Sequence, residues 1–275
     1  MKKNKYISTY FSRVIFIFLF LLLAFFLIKK IKNNSSDITA PIISDTAVTG
    51  GAVSVVPTAT PFPEDNLTVQ YVADPNKPMI ALTFDDGPNT STTSSILDTL
   101  EAYNARATFF VVSSRIQTHY EVSKRALSLG CEIGSHGYSH KMLKKLKTEQ
   151  IKKEFERSQK ILKKHTGNKF SLVRTPYGDT DRRVLKNTDY PVILWSLDSL
   201  DWKSKNSKKI VKRVMKNIKD GDIVLMHDLY TSTADAVKEI VPKLISQGYQ
   251  LVTVSEMMEA RGIELKNGHT YGSAR

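Results

Sequence analysis

Two carboxylates stand side by side at Asp85 and Asp86, where an apolar run gives way to Gly87 and Pro88. Adjacent carboxylates at a strand end repel each other and lose hydration, so one needs a cation and the other is then free to act as a base. The segment reads equally as an Asp-Gly-Pro turn capping the next helix. His136 and His140 lie four apart, a spacing that lets two imidazoles converge on one metal in a helical turn or a tight loop. Two surface histidines are the commoner meaning of that spacing. Joined to a carboxylate from a neighbouring strand end, the pair becomes a two-His, one-Asp site with positions open to water and substrate. Water bound at a catalytic zinc loses roughly eight pKa units.

Three more strand ends carry chemistry. Arg174 precedes the rigid turn Thr175-Pro176-Tyr177-Gly178. There an arginine can hold a carboxylate in place, and the backbone N–H groups of the turn can face a developing oxyanion. A surface ion pair is the alternative for Arg174. His227 closes another apolar run, and a histidine with a carboxylate nearby can act as a general acid. In the segment Asp198-Ser199-Leu200-Asp201-Trp202, Trp202 suits the wall of a sugar-binding groove or a place in the core.

These residues need elements that bring strand ends together. Short apolar runs at 79–84, 107–112, 131–133, 170–173, 192–197, 223–226 and 250–254 alternate with longer amphipathic stretches. In 148–165 the residues Ile151, Phe155, Ser158 and Leu162 share one face, with Lys and Glu opposite; in 207–219 Ile210, Val211, Val214 and Ile218 point inward. Thr148 and Ser207 are candidate caps. Seven strands alternating with about six helices predict a parallel α/β sheet with right-handed crossovers. Seven repeats suit a barrel, with an open doubly wound sheet as the alternative, and in both folds the site lies at the C-terminal ends of the strands.

The 275 residues, 41% of them hydrophobic, suffice for one large domain with a sizeable core. Of the formal net charge of +13, seven units sit in residues 1–32, which contain no acid, leaving +6 for the rest. That is a mildly basic domain, not a nucleic-acid-binding one by charge, and its Lys-rich surface is either a solvated face or suited to an anionic envelope. The lone Cys131 excludes an intramolecular disulfide and reads as a buried small hydrophobe. Residues 14–28 are unbroken apolar sequence, which residues 10–13 extend toward the ~20 residues that span a bilayer. The run ends in Lys29-Lys30 with no small-residue cleavage site, so an uncleaved anchor is expected, with a cytoplasmic tip, over 1–32. Residues 33–66, rich in Ser, Thr, Pro, Ala and Val, read as a flexible stalk. The catalytic domain is expected over 67–262, followed by a disordered tail at 263–275.

The five segments, taken in order, resemble the motifs of the polysaccharide deacetylases, the NodB-homology or carbohydrate esterase family four domain: Thr-Phe-Asp-Asp-Gly-Pro, His-x-x-x-His, Arg-x-Pro-Tyr-Gly, Asp-x-x-Asp-Trp and Leu-x-His. The resemblance covers about residues 70–260 and implies a distorted seven-stranded (β/α) barrel. It implies roles as well. Asp85 is the base activating a metal-bound water. Asp86, His136 and His140 are the metal triad. Arg174 orients the base, and the Tyr177 N–H is the oxyanion donor. Asp201 tunes His227, the general acid for the leaving amine. Trp202 walls the groove, and Leu225 lines a pocket for the acetate methyl. The metal implied is Zn²⁺, with Co²⁺, Ni²⁺ or Fe²⁺ also compatible with two His and one carboxylate.

The sequence departs from the family's pattern at Gly137, where a Ser or Thr usually follows the first metal histidine; losing that hydroxyl is expected to soften the loop. The second aspartate of the first motif is present, which disfavours the family's muramic-acid-directed branch. The expectation is therefore a membrane-anchored enzyme with its catalytic domain outside the cell, hydrolysing N-acetyl groups on a polysaccharide, foremost N-acetylglucosamine of peptidoglycan. Chitooligosaccharides, another envelope glycan, an acetyl ester, or a carbohydrate-binding protein with a relic site are the alternatives. The sequence specifies no oligomeric state.

Overall fold

The computed structural model describes residues 72–275. The expected anchor, the stalk and the first residues of the catalytic domain lie outside them. Among the described residues no helix is long and apolar enough to cross a membrane.

The frame starts from β1 (Met79–Asp85), buried along its whole length, as expected of a central strand in a parallel sheet covered on both faces. Around it lie β2 (Thr108–Val111), β3 (Glu132–Ser135), β5 (Leu197–Asp198) and β6 (Asp222–His227), in the order β3-β2-β1-β6-β5, all parallel, with β7 (Gln250–Leu251) against the start of β1. Successive side chains of a strand point to opposite faces. On β1, Ile80, Leu82 and Phe84 pack outward into the main core under the helices, whereas Met79 and Ala81 join Phe110, Ile193, Ile223 and Val252 in a second core inside the ring. Continuing that inner row upward gives Thr83 and Asp85. On β6 the same row runs Ile223, Leu225, His227. The register Thr83↔Leu225 and Asp85↔His227 puts the polar ends of both rows at one level. The interior is thus apolar at its base and turns polar at its C-terminal rim.

The helices are α1 (Thr92–Ala102), α2 (Ser113–Ser128), α3 (Thr148–Thr166), α4 (Arg182–Lys186), α5 (Asp201–Ser204), α6 (Ser207–Asn217), α7 (Thr231–Ser246) and α8 (Val254–Ala260). The expected inward faces hold except at Ile218: α3 buries Ile151, Phe155, Ser158 and Leu162, and α6 buries Ile210, Val211 and Val214, while Ile218 is its half-buried C-cap. The caps sit one residue earlier than expected, at Lys147 and at Asn206, whose side chain accepts from the Lys209 N–H.

Three strand expectations change. Run 170–173 contributes only Val173, bridging Ser135 on one side and Val192 on the other, because Arg174 turns the chain into the Pro176–Gly178 turn. Run 192–197 divides into β4 (Val192–Ile193) and β5. Run 250–254 ends early because Thr253 and Glu256 form a reciprocal capping box that starts α8.

The tail at 263–275 is not disordered. Thr270–Tyr271 forms β8, parallel to β4; Ser273 bridges Asp222 at the foot of β6; Ala274 is 5% exposed within the inner core; and Arg275 pairs with Asp222 at 2.8 Å. Among the described residues no pairing joins β4 to β5, so the tail carries the ring from β4 back to β6 at the end opposite the polar rim. The sheet is therefore a distorted ring, not an open doubly wound sheet.

Candidate active site

Arg174 is the keystone of the rim. It is fully buried and donates four hydrogen bonds, from Nε to Ile193 O (3.1 Å), from Nη2 to Leu194 O (2.9 Å), and from Nη1 to Thr83 Oγ1 (2.8 Å) and Asp85 Oδ1 (2.7 Å). Its guanidinium lies 4.2 Å over the Phe110 ring. A buried charge without partners would cost several kcal/mol, so this network fixes both the arginine and the Asp85 carboxylate. The surface ion pair considered for Arg174 is excluded. The other Asp85 oxygen, Oδ2, lies 3.6 Å from His136 Nε2.

Asp86, His136 and His140 converge, with one ligand atom of each lying within 4.8 Å of the others. Asp86 Oδ1 is 3.1 Å from His140 Nε2 and 3.7 Å from His136 Nε2, and it is a buried atom with no hydrogen-bond partner. His136 Nδ1 bonds Arg174 O at 2.8 Å, which fixes the ring so that Nε2 faces Asp86. Burial pushes the His136 pKa below the ordinary imidazole value against the opposing pull of Asp85 and Asp86, favouring the neutral form that ligates metals. For Asp86 burial works toward protonation, but the close approach of His140 Nε2 and the charges of His136, His140 and His227 outweigh it and hold the carboxyl at about 2. A carboxylate oxygen left unsatisfied between two imidazole nitrogens fits a divalent cation, and a carbonyl behind one imidazole is the support that metal-bound histidines usually have.

The backbone is strained at the same place. Asp86 (φ 77°), His140 (φ 56°) and Tyr177 (φ 65°) are three of six non-glycine residues with left-handed φ among the described residues, a conformation costing about 1–2 kcal/mol each. Gly87 follows Asp86 because the Asp228 carboxyl occupies the space beside it: a Cβ there would fall 2.0 Å from Asp228 Oδ2. Asp228 is buried, receives a hydrogen bond from Thr93 Oγ1 at 2.5 Å, and has its pKa raised to about 7 by burial.

Gly137 adopts φ 79°, where a side chain would be strained even with room for a Cβ. The hydroxyl expected at this position has substitutes. Glu154 of α3 accepts from Tyr138 N (3.0 Å), Ser139 N (2.9 Å) and Ser139 Oγ (2.8 Å), and Ser135 Oγ accepts from Gly137 N (3.1 Å). The loop is anchored at four points instead of softened. Glu154 lies three residues past Ile151 and four before Ser158, on the buried stripe, so the helical spacing itself marks it as inward.

Across the cleft, His227 Nδ1 bonds Asp201 Oδ1 at 2.8 Å, leaving Nε2 for the cleft. Asp201 is fully buried and also accepts from Trp202 N (2.8 Å), His227 N (2.6 Å) and Thr233 Oγ1 (2.7 Å). Burial opposes a charge on His227, but the hydrogen bond and charge of Asp201, with the charges of Asp85 and Asp86, prevail and raise its pKa to about 9. Leu225 is buried in the cleft floor, while Tyr177 and Trp202 are 62% and 47% exposed at its mouth. The Tyr177 N–H has no acceptor among the described residues. All ten residues singled out in the sequence meet at one end of the ring, nine of them lining a cleft of about 340 Å³ or, like Asp201, holding one that does, with Arg174 beneath. Trp195 and Tyr230 also line it and were not expected; Asp198, which the sequence placed in a motif but gave no role, lines it too. Trp195 was hidden within an apolar run, and nothing in the sequence distinguishes Tyr230.

The sequence model of the polysaccharide deacetylase family matches residues 73–192. Over 196 residues the chain is 45% identical to the peptidoglycan-N-acetylmuramic acid deacetylase PdaC of Bacillus subtilis, covering 71% of this chain and 42% of PdaC. Over 192 residues it is 40% identical to the peptidoglycan-N-acetylglucosamine deacetylase PgdA of Listeria monocytogenes, covering 70% and 41%. The chain thus spans about two fifths of the length of these relatives. The solved structure of PdaC superposes with a TM-score of 0.68 at 46% identity, covering 69% of this chain and 94% of that one. A family 4 acetyl xylan esterase from Clostridium thermocellum, in complex with a cobalt ion, superposes with a TM-score of 0.68 at 31% identity, covering 71% and 98%.

Proposed function

This chain belongs to the polysaccharide deacetylase family, and from that premise we propose that it removes N-acetyl groups from peptidoglycan by metal-assisted hydrolysis, N-acetylglucosamine being the favoured sugar. The observation that carries the reading is the complete set of groups on one cleft: the buried, partnerless Asp86 Oδ1 between His136 and His140, with Asp85 and His227 to either side. A binding protein with a relic site would have no reason to keep every one. The 45% identity to PdaC favours N-acetylmuramic acid as a second reading. It stands against the argument from the second aspartate of the first motif, which keeps N-acetylglucosamine first. We further propose that residues 1–32 anchor the chain in the membrane and residues 33–66 carry the catalytic domain outside.

In this mechanism Asp86, His136 and His140 would hold the divalent ion, zinc being the first choice. When bound it supplies Lewis acidity and acidifies a water. Asp85, held by Arg174, accepts the proton of the attacking water. The Tyr177 N–H donates to the oxyanion as the amide carbon becomes tetrahedral. His227, charged at neutral pH, gives its Nε2 proton to the departing amine, and Asp201 keeps that proton available. Leu225 meets the acetyl methyl, and Trp202 flanks the sugar.

Acetate release from purified peptidoglycan and from N-acetylglucosamine oligomers, with chelator and with added Zn²⁺, tests the proposal. Release that chelator abolishes and Zn²⁺ restores is expected. No release from either substrate by metal-loaded protein would sink the deacetylase reading. The products from peptidoglycan, glucosamine or muramic acid, separate the two sugars.

The pH dependence follows from His227. A general acid with a raised pKa is fully protonated below it and lost above it, so activity is expected to fall as pH climbs through about 9. Asp201→Asn removes the hydrogen bond's charge and is expected to move that alkaline limb down by about one unit or more. An unmoved limb would exclude His227 as the acid.

A further inference from the structure

The segment from Lys203 to Lys219 contains eight cations and no acid: Lys203, Lys205, Lys208, Lys209, Lys212, Arg213, Lys216 and Lys219. All eight are exposed, and among the described residues none is in an ion pair. On α7 Lys238 pairs with Asp235 and Lys243 with Glu239, and Arg125 of α2 pairs with Asp98 and Glu101 of α1. The cations of α3 are interleaved with Glu149 and Glu156. Eight like charges in seventeen residues repel one another and weaken the helix they sit on, so an external anion is the missing counterpart.

Two contacts join this face to the cleft. Lys205, held at φ 43°, carries its ammonium 5.3 Å from the ring centroid of Tyr230, and Arg213 Nε donates to Asp198 O at 2.6 Å. Tyr230 and Asp198 both line the cleft, as does Trp202, which immediately precedes Lys203. From there α6 leads away for about 16 Å at 1.5 Å per residue. A separate polyanion would gain nothing from lying beside the reacting sugar, whereas a strand held in the cleft and extending past Tyr230 and Asp198 reaches this face.

We infer that α6 and its flanks form a docking face for the substrate's own carboxylates: the chain takes glycan strands whose sugars bear acidic side chains, and reads charge several sugars away from the acetyl group it removes. This rests on the peptidoglycan reading. Diffuse charge of this kind acts on encounter and on KM, and salt screens it.

The test uses the full chain and the variant Lys208→Gln/Lys209→Gln/Lys212→Gln/Lys216→Gln, whose changes lie on the solvent face of α6. The probes are soluble peptidoglycan strands, the same strands with their carboxyls chemically amidated, and neutral N-acetylglucosamine oligomers. Losing four exposed pairings is expected to raise KM on native strands about tenfold relative to the neutral oligomer, with kcat held. Amidation of the strands, and 0.5 M salt, which shortens the Debye length to about 4 Å, should each erase the difference between variant and wild type. Equal KM changes on all three probes, or none, would overturn the inference. If wild type hydrolyses none of the probes, the functional reading has failed, and co-sedimentation with insoluble wall still decides the docking face. Wild-type binding that exceeds the variant's only while the carboxyls are free supports it. Binding that follows phosphodiester polymer content instead overturns it.

Discussion

Asp85→Asn is expected to lower kcat by about three orders of magnitude, the middle of the range a positioned base contributes, while metal affinity stays within a few fold. The substitution is close to isosteric. Asn keeps an oxygen for Arg174 Nη1, which is 2.7 Å away, and Asp86, His136 and His140 are untouched. What disappears is the capacity to take a proton and half of a buried ion pair. Arg174 keeps neutral acceptors, the asparagine oxygen with Thr83, Ile193 and Leu194, but no counter-charge, so some stability is lost too, on the order of 3 kcal/mol. Turnover should therefore be measured beside a thermal melt and a metal determination. A folded, metal-loaded variant with near-normal turnover would remove Asp85 from the mechanism.

His136→Ala is expected to weaken metal binding by at least about a hundredfold, beyond the range typical of a group that merely supports a ligand, and to reduce activity in proportion at limiting metal. His136 is 2% exposed and its Nδ1 satisfies Arg174 O, so the variant also leaves a cavity and an unpaired carbonyl beside the base. His140→Ala provides the comparison, because His140 is 28% exposed and makes no such contact. If both variants lose metal while only His136→Ala loses stability, ligation is separated from packing. Full metal occupancy in His136→Ala, measured by elemental analysis after dialysis, would break the triad.

The chemistry of the site was more legible in the sequence than its frame. Asp85, Asp86, His136, His140, Arg174, Asp201 and His227 are polar residues where apolar runs stop, and a strand end is where a parallel sheet presents reactive groups. Signals of that kind survive because they are local. The strand at 170–173 failed for a non-local reason: its hydrogen bonds reduce to bridges at Val173, since the next residues must deliver Arg174 to Asp85. Glu154 and the capping box of Thr253 and Glu256 were legible but outranked, the first by the polar look of a Lys-rich helix, the second by the apolar run in front of it. Trp195 and Tyr230 reach the cleft through the ring's curvature, which no short pattern encodes. The return of residues 270–275 to β4 and β6 is longer in range still, pairing Thr270 with Val192 and Ser273 with Asp222.

That return makes the last few residues a clasp. The wall that carries Arg174 and the wall that carries His227 meet at the top through the groups of the cleft, while beneath them the seam between β4 and β6 is sewn by Ser196, β8, Ser273 and Arg275. Deleting residues 270–275, whose Thr270 pairs 78 positions away with Val192 (270 − 192), would not touch a single reactive group. It would let the two walls drift apart, so that activity fades from below as a loss of alignment, with every ligand and every proton carrier still attached to its own strand.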